Sequence, residues 1–212
     1  YYIDAPAYRR TSAGIRVLHL LCHALNSIGE EAYVYPTETH PALNTPLVTP
    51  ELIERHKAAG REPIVVYPEV VPGNPRKAAS VVRYVLNRAG LLGGDSVHAE
   101  TELIFGFGLN ALPDGADPQN ILFLPPIDTA IFNNRDNPYD HQRSGSLLYP
   151  GRHQAALSQY PKLAAEATLI TYSWPESHEA LAELLRRSEV VYCFESTAIA
   201  AEAALCGCQI GR

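Results

Sequence analysis

Apolar positions along the chain fall into two alternating rhythms. Leu18, Leu21, Leu25 and Ile28 recur at the spacing of one helix face, which predicts a helix over residues 14–28. Thr11 or Ser12 stands where a side-chain oxygen can cap it, and Gly29 offers a left-handed stop. Tyr1-Tyr2-Ile3-Asp4 reads as a short strand ahead of this helix, and residues 32–35 as another behind it. Thr49-Pro50-Glu51 opens a second helix to residue 59, with proline where its missing donor matters least. Ile64-Val65-Val66-Tyr67 is a continuous, β-branched run of the kind found in strands buried on both faces. Asn74-Pro75 is read as the start of a third helix through residue 87, ended by Gly90, with Arg76 and Arg83 on its solvated side. Residues 102–107 and 121–124 read as further strands.

The pattern lapses after Pro125. Asn133-Asn134-Arg135-Asp136-Asn137-Pro138 is polar and aperiodic, so residues 126–145 read as a linker. Alternation then resumes, with strands at 146–149, 168–172 and 190–194 and helices at 154–167, 176–187 and 197–205. A further strand begins at 208–210. Strands alternating with helices of this length imply right-handed crossovers and parallel sheets, an α/β class. The expected organisation is two consecutive Rossmann-like units, 1–125 and 146–212, the second apparently incomplete because the chain stops as a strand starts.

Composition narrows the function classes. The chain has 212 residues, 46% hydrophobic and 19% charged, enough to bury a core. A net charge of −6 argues against a nucleic-acid partner, whose phosphates call for a basic surface. No apolar run approaches the ~20 residues that span a bilayer, and no secretory leader is expected from the opening residues. Cys22, Cys193, Cys206 and Cys208 form no framework of spacings, which fits reduced thiols and a cytoplasmic location.

Candidate chemistry concentrates near the end of the chain. The predicted strand at 190–194 passes within two or three residues into the helix beginning near Thr197. In open parallel sheets, ligands bind at carboxyl strand ends, where a helix start offers free N–H groups to an anion. Ser196 and Thr197 add hydroxyls there, Ala198 begins the helix, and Glu202 lies where its carboxylate can accept from a ribose diol. The alternative is that Ser196 or Thr197 only caps the helix and Glu202 is a surface residue. His19 and His23 are four apart, a metal-sharing spacing, but without a third ligand or an adjacent glutamate no metal is expected. Dinucleotide, P-loop and Gly-x-Ser-x-Gly patterns are missing, which disfavours oxidoreductase, ATPase and esterase chemistry.

Glu195 through Glu202, followed by Ala203-Ala204-Leu205-Cys206-Gly207-Cys208, resembles the donor-site signature of retaining GT-B glycosyltransferases of the family 4 (group 1) type. Six residues separate the two glutamates, one fewer than in that family, and Gln209 follows where proline is common. Leu122-Phe123-Leu124-Pro125-Pro126-Ile127-Asp128-Thr129-Ala130-Ile131-Phe132 is similar to the family's interdomain segment. Leu147-Leu148-Tyr149-Pro150-Gly151-Arg152 resembles the first strand of its C-terminal domain. The resemblance implies two Rossmann-like domains facing across a cleft and a metal-independent glycosyltransferase of hexosyltransferase type. Arg152 would lie on the donor diphosphate and Glu195 would orient the transferred sugar. Tyr172, Ser173 and Trp174 would sit at the nucleobase, although Trp174 could equally fill core. In the first domain, Ser12 and Gly14 lie where the family's phosphate or acceptor loop runs. Glu69 could hold an acceptor or be an ordinary loop residue.

The implied donor is a nucleotide-diphosphate sugar with no further cofactor. The implied acceptor is a saccharide or lipid-linked sugar, which would bring the protein to a membrane surface in polysaccharide or glycolipid biosynthesis. Two other readings stay open: a nucleotide-sugar epimerase on the same plan, and a non-catalytic nucleotide-sugar-binding module.

Overall fold

The computed structural model describes residues 1–211. The chain forms two compact units, Tyr1–Pro125 and the residues from Pro126 onward. Each is an α/β unit built on a wholly parallel sheet, one of five strands and one of four. None of the helices among the described residues is long and apolar enough to cross a membrane.

In the first unit, β1 (Tyr2–Ile3), β2 (Tyr33–Val34), β3 (Ile64–Pro68), β4 (Ser80–Val85) and β5 (Leu103–Gly106) lie in the order β2-β1-β3-β4-β5. Successive strand residues point to opposite faces, and both faces are buried. Ile3, Val66 and Tyr84 pack with Val17, Leu18 and Leu21 of α1 (Ala13–Ser27). Tyr2, Val65 and Tyr67 pack on the other side with Val48 and with Leu52 of α2 (Pro50–Ala58). Gly29 ends α1 at φ +93°, and the Glu30 N–H closes back on the Leu25 carbonyl at 3.0 Å. Ser12 occupies the cap position of α1, but its side chain makes no cap hydrogen bond among the described residues. Thr49 does cap α2, accepting from the Leu52 N–H at 3.2 Å.

The helix expected over 74–87 is instead strand β4, paired residue for residue with β3 from Ile64↔Ser80 to Pro68↔Tyr84. The run Val81-Val82-Arg83-Tyr84-Val85 is largely β-branched and aromatic, and its side chains alternate between faces: Val82 and Tyr84 pack with the α1 side, Val81 with the other. Of the strand expected at 121–124 only a single bridge forms, Gly106 to Ile121.

Arg83 is therefore not a solvated helix residue. It is fully buried, and its guanidinium grips Glu102 bidentately at 2.8 and 2.9 Å. It also donates to the carbonyls of Val71 at 2.6 Å and Gly73 at 2.8 Å, over the face of Tyr67. Parallel strands usually need a crossover of about a dozen residues carrying a helix. Here the connections from β3 to β4 and from β4 to β5 are irregular chain. Arg83 supplies donors to two carbonyls of the first of these connections, those of Val71 and Gly73.

In the second unit, β6 (Ser146–Tyr149), β7 (Thr168–Leu169), β8 (Val190–Cys193) and β9 (Gln209–Gly211) lie in the order β7-β6-β8-β9. Its core joins Leu147, Tyr149 and Val191 to Leu181 and Leu185 of α4 (His178–Arg187) and Ala203 of α5 (Ala198–Leu205). The long helix expected over 154–167 is broken by Pro161 into a 3₁₀ segment, Gln154–Gln159, and the short α3 (Pro161–Glu166). The strand expected to run to residue 172 stops at Leu169.

The stretch expected to be a linker packs into this unit. Phe132 is fully buried in the core, with Ile127 and Ile131 against it. Arg186 of α4 donates to the Asn133 and Ile131 carbonyls, at 2.8 and 2.5 Å. Arg143 reaches the Arg186 carbonyl at 2.7 Å, the Asn134 amide oxygen at 2.7 Å and the Cys206 carbonyl at 3.1 Å. The polar residues that suggested solvated chain are those that fasten it.

Candidate functional site

Ligands of open parallel sheets enter the crevice at the carboxyl strand ends where strand order reverses. Both sheets reverse between their first and third strands, at β1/β3 and at β6/β8. Chemistry-bearing side chains therefore matter most in the loops that follow those strands.

In the second unit, Gly151 and Arg152 follow β6, and Glu195, Ser196 and Thr197 follow β8. The strands pair Tyr149↔Cys193, and the Phe194 N–H extends the ladder to the Tyr149 carbonyl at 3.1 Å. This places the two loops side by side. Arg152 Nε donates to Glu195 Oε2 at 2.7 Å; the glutamate side chain is 10% exposed and the arginine 46%. Gly151 makes the pairing possible, because a Cβ there would lie 2.0 Å from Glu195 Oε1. Its φ of +54° is the left-handed region that glycine enters without strain.

Thr197 caps α5, its hydroxyl accepting from the Ile199 N–H at 3.4 Å. Ala198 opens the helix, and Ser196 is exposed beside it. Of the two expectations for this turn, the cap is realised at Thr197, while the Ser196 hydroxyl faces solvent. Glu202 is not a surface residue: it is 1% exposed on α5. Cys193, at the end of β8, is pushed up to about 11 by burial and then by Glu195, so its thiol stays protonated and unreactive near neutral pH.

Tyr172, Ser173 and Trp174 belong to the loop after β7, one strand further from the reversal. Thr171 holds this loop with its hydroxyl, which accepts from Trp174 N–H at 3.0 Å. Tyr172 is 51% exposed and Trp174 40%, so the tryptophan does not fill core. Tyr172 meets Tyr149 edge to face at 6.3 Å, tying this loop back to the end of β6.

In the first unit, Ser12 and Gly14 stand at the start of α1, downstream of β1. A Cβ on Gly14 would make only ordinary contact with Leu86, 3.5 Å away, so glycine is not demanded there by space. Glu69 follows β3 and is buried; its Oε2 accepts from the Leu86 N–H at 2.9 Å. Burial pushes its carboxyl above the usual range, against the opposing pull of backbone N–H groups. Glu69 thus braces the ends of β3 and β4 as much as it offers an acid to a ligand.

One residue of this region is not marked out by the sequence pattern. Asp4, at the end of β1, pairs with Arg76 at 2.9 Å, and the Arg76 guanidinium stacks 3.1 Å from the Tyr35 ring centroid. A charged residue closing the first strand was the available signal for Asp4. His19 and His23 are engaged with backbone: Nε2 of His19 bonds the Pro6 carbonyl at 2.9 Å, and Nδ1 of His23 accepts from Asn44 N–H at 3.0 Å. Among the described residues, no group of three or more His, Cys, Asp or Glu could hold a metal ion.

Neither a protein-family model nor a curated protein matches the chain.

Proposed function

We propose that the second unit binds the diphosphate of a nucleotide sugar, and that the chain belongs to a GT-B-like glycosyltransferase acting on a hydroxyl acceptor. One observation carries this reading. Arg152 and the Glu195-Ser196-Thr197 turn meet at the β6/β8 reversal, beside the amino end of a capped helix. A guanidinium with five donors and the first N–H groups of α5 suit phosphate oxygens, and they stabilise charge growing on a departing diphosphate.

The Arg152–Glu195 pair gives the site an order of events. Incoming phosphate competes with the carboxylate for the guanidinium; Glu195, released, is free to accept hydroxyls of the transferred sugar. Exposed Tyr172 and Trp174 offer faces on which a base can stack. Binding without transfer is the second reading, favoured by the burial of Glu202, which withholds the expected ribose acceptor.

The test is thermal unfolding with UDP, GDP and TDP. A ligand at 100 times its dissociation constant stabilises by about 2.7 kcal/mol, and at least one should raise Tm. Arg152→Ala should abolish that rise while leaving the unliganded Tm within a degree or two. If none of the three nucleotides shifts Tm, the donor-site reading is wrong. Nucleotide binding without release of sugar from any donor, acceptor present, selects the second reading.

A further inference from the structure

A cavity of about 350 Å³ lies at the other end of the second unit's sheet from Arg152. It is formed where the chain enters β6 and β7, between Ser144-Gly145-Ser146, Thr168 and the end of α4. That volume is at the small end of the roughly 300–1,000 Å³ typical of ligand sites. Its frame is fixed by backbone pairing: Ser144 N–H donates to the Arg187 carbonyl at 3.0 Å, and Glu189 N–H to the Gly145 carbonyl at 3.1 Å. Ser188 is held too, its hydroxyl bonded to the Leu184 carbonyl at 2.7 Å. Leu147 and Leu184 give the cavity an apolar floor.

Much of the polar lining is open to solvent and makes no bond within the fold. Among the described residues, the side chains of Gln142, Ser144, Ser146, Thr168 and Arg187 have no hydrogen-bond or ion-pair partner. The other two polar residues of the wall are already engaged: the Ser188 hydroxyl with the Leu184 carbonyl, and the Tyr139 hydroxyl with Glu183. None of the described residues lining the cavity is acidic, so the Arg187 charge is uncompensated within it. Three hydroxyls and an amide can each donate and accept, which is the complement of a polyol rather than of an apolar ligand. A guanidinium adds a fork for one carboxylate or phosphate.

We infer that this cavity is a second small-molecule site, which takes a monosaccharide carrying one anionic group. Arg187 holds the anion, the Gln142, Ser144 and Thr168 side chains hold the ring hydroxyls, and the Leu147–Leu184 floor meets the ring's apolar face. The site is separate from the proposed donor site: β6 lies between them, with Ser146 at one end and Arg152 beyond the other. It does not depend on the donor reading.

The test is binding by amide-resolved NMR and calorimetry on the full chain, with glucose 6-phosphate, glucuronate, glucose and inorganic phosphate as probes. Shifts are expected at Gly145, Ser146, Thr168 and Ser188, with at least one anionic sugar binding tenfold or more tightly than both glucose and phosphate. The two anionic probes tell whether phosphate or carboxylate is the group held. Arg187→Ala should weaken that binding at least tenfold, and Thr168→Val should weaken it measurably; both positions are exposed, so folding should be kept. Arg152→Ala should leave it unchanged, which separates failure here from failure of the donor site. Absence of shifts in the cavity, affinity indifferent to Arg187→Ala, or phosphate binding as tightly as the sugars would each overturn the inference.

Discussion

Removing the carboxylate of Glu102 should damage the first unit more than its place at the edge of the sheet suggests. Glu102 takes two bonds from Arg83, at 2.9 and 2.8 Å, and Arg83 is wholly shielded from water. Glu102→Ala leaves a buried guanidinium whose remaining hydrogen-bond acceptors are the neutral carbonyls of Pro68, Val71 and Gly73. Breaking a buried pair from one side costs about 3–5 kcal/mol, because the surviving charge stays desolvated. With a urea slope of ~2 kcal/mol per molar, that lowers the unfolding midpoint by roughly 2 M. The assay is urea unfolding by circular dichroism, with amide exchange at Val82 and Tyr84 reporting locally on β4. Arg83→Leu combined with Glu102→Leu should still be costly, since the loop carbonyls lose their donor, at roughly 1–3 kcal/mol for each one stranded. A double mutant as stable as the wild type would show that the arginine holds nothing but its ion pair. A Glu102→Ala midpoint no lower than that of the exposed control Glu54→Ala would refute the reasoning altogether.

Three further outcomes are expected. Gly151→Ala places a methyl group on the Glu195 carboxylate and strains a left-handed residue, so it should cost ~1–2 kcal/mol in thermal unfolding and weaken nucleotide binding. Phe132→Ala should destabilise the second unit by about 3–5 kcal/mol in denaturant titration, whereas a true linker residue would cost under ~0.5. Glu69, raised by burial above its unfolded value of 4.5, contributes stability that is full below that value and is lost as pH rises through its folded value. Glu69→Gln keeps an oxygen for the Leu86 N–H and removes the titration, so the variant's stability should fall less than the wild type's across that window. Parallel pH curves would contradict this.

Elements whose signals are local were legible in the sequence. The helix face of Leu18, Leu21 and Leu25, the run Ile64–Tyr67 and the strand-to-helix turn at Thr197 all announce themselves within a dozen residues. The failures have one physical cause, which is that their deciding partner is distant. Arg83 looks solvated until Glu102 and two loop carbonyls close around it, and without them Val81–Val85 can pass for the end of a helix. Phe132 is one apolar residue in a polar stretch, and only the Arg186 and Arg143 contacts disclose that the stretch is packed. At the candidate site, position was readable but pairing was not. Arg152 and Glu195 were each placed after a strand, yet nothing local says that parallel neighbours bring them within 2.7 Å. Glu202 shows the converse, since its spacing from Glu195 was visible and its burial was not.

The fastening of residues 126–145 decides where this chain can be cut and recombined. A graft that begins at Ser146 would carry the whole sheet yet leave Phe132 behind. It would also strip Arg186 of two carbonyl acceptors and sever Arg143 from the Cys206 turn. The transferable module therefore starts at Pro126, and a protease should find its preferred nick ahead of that residue rather than in the asparagine-rich stretch that looks most open to it.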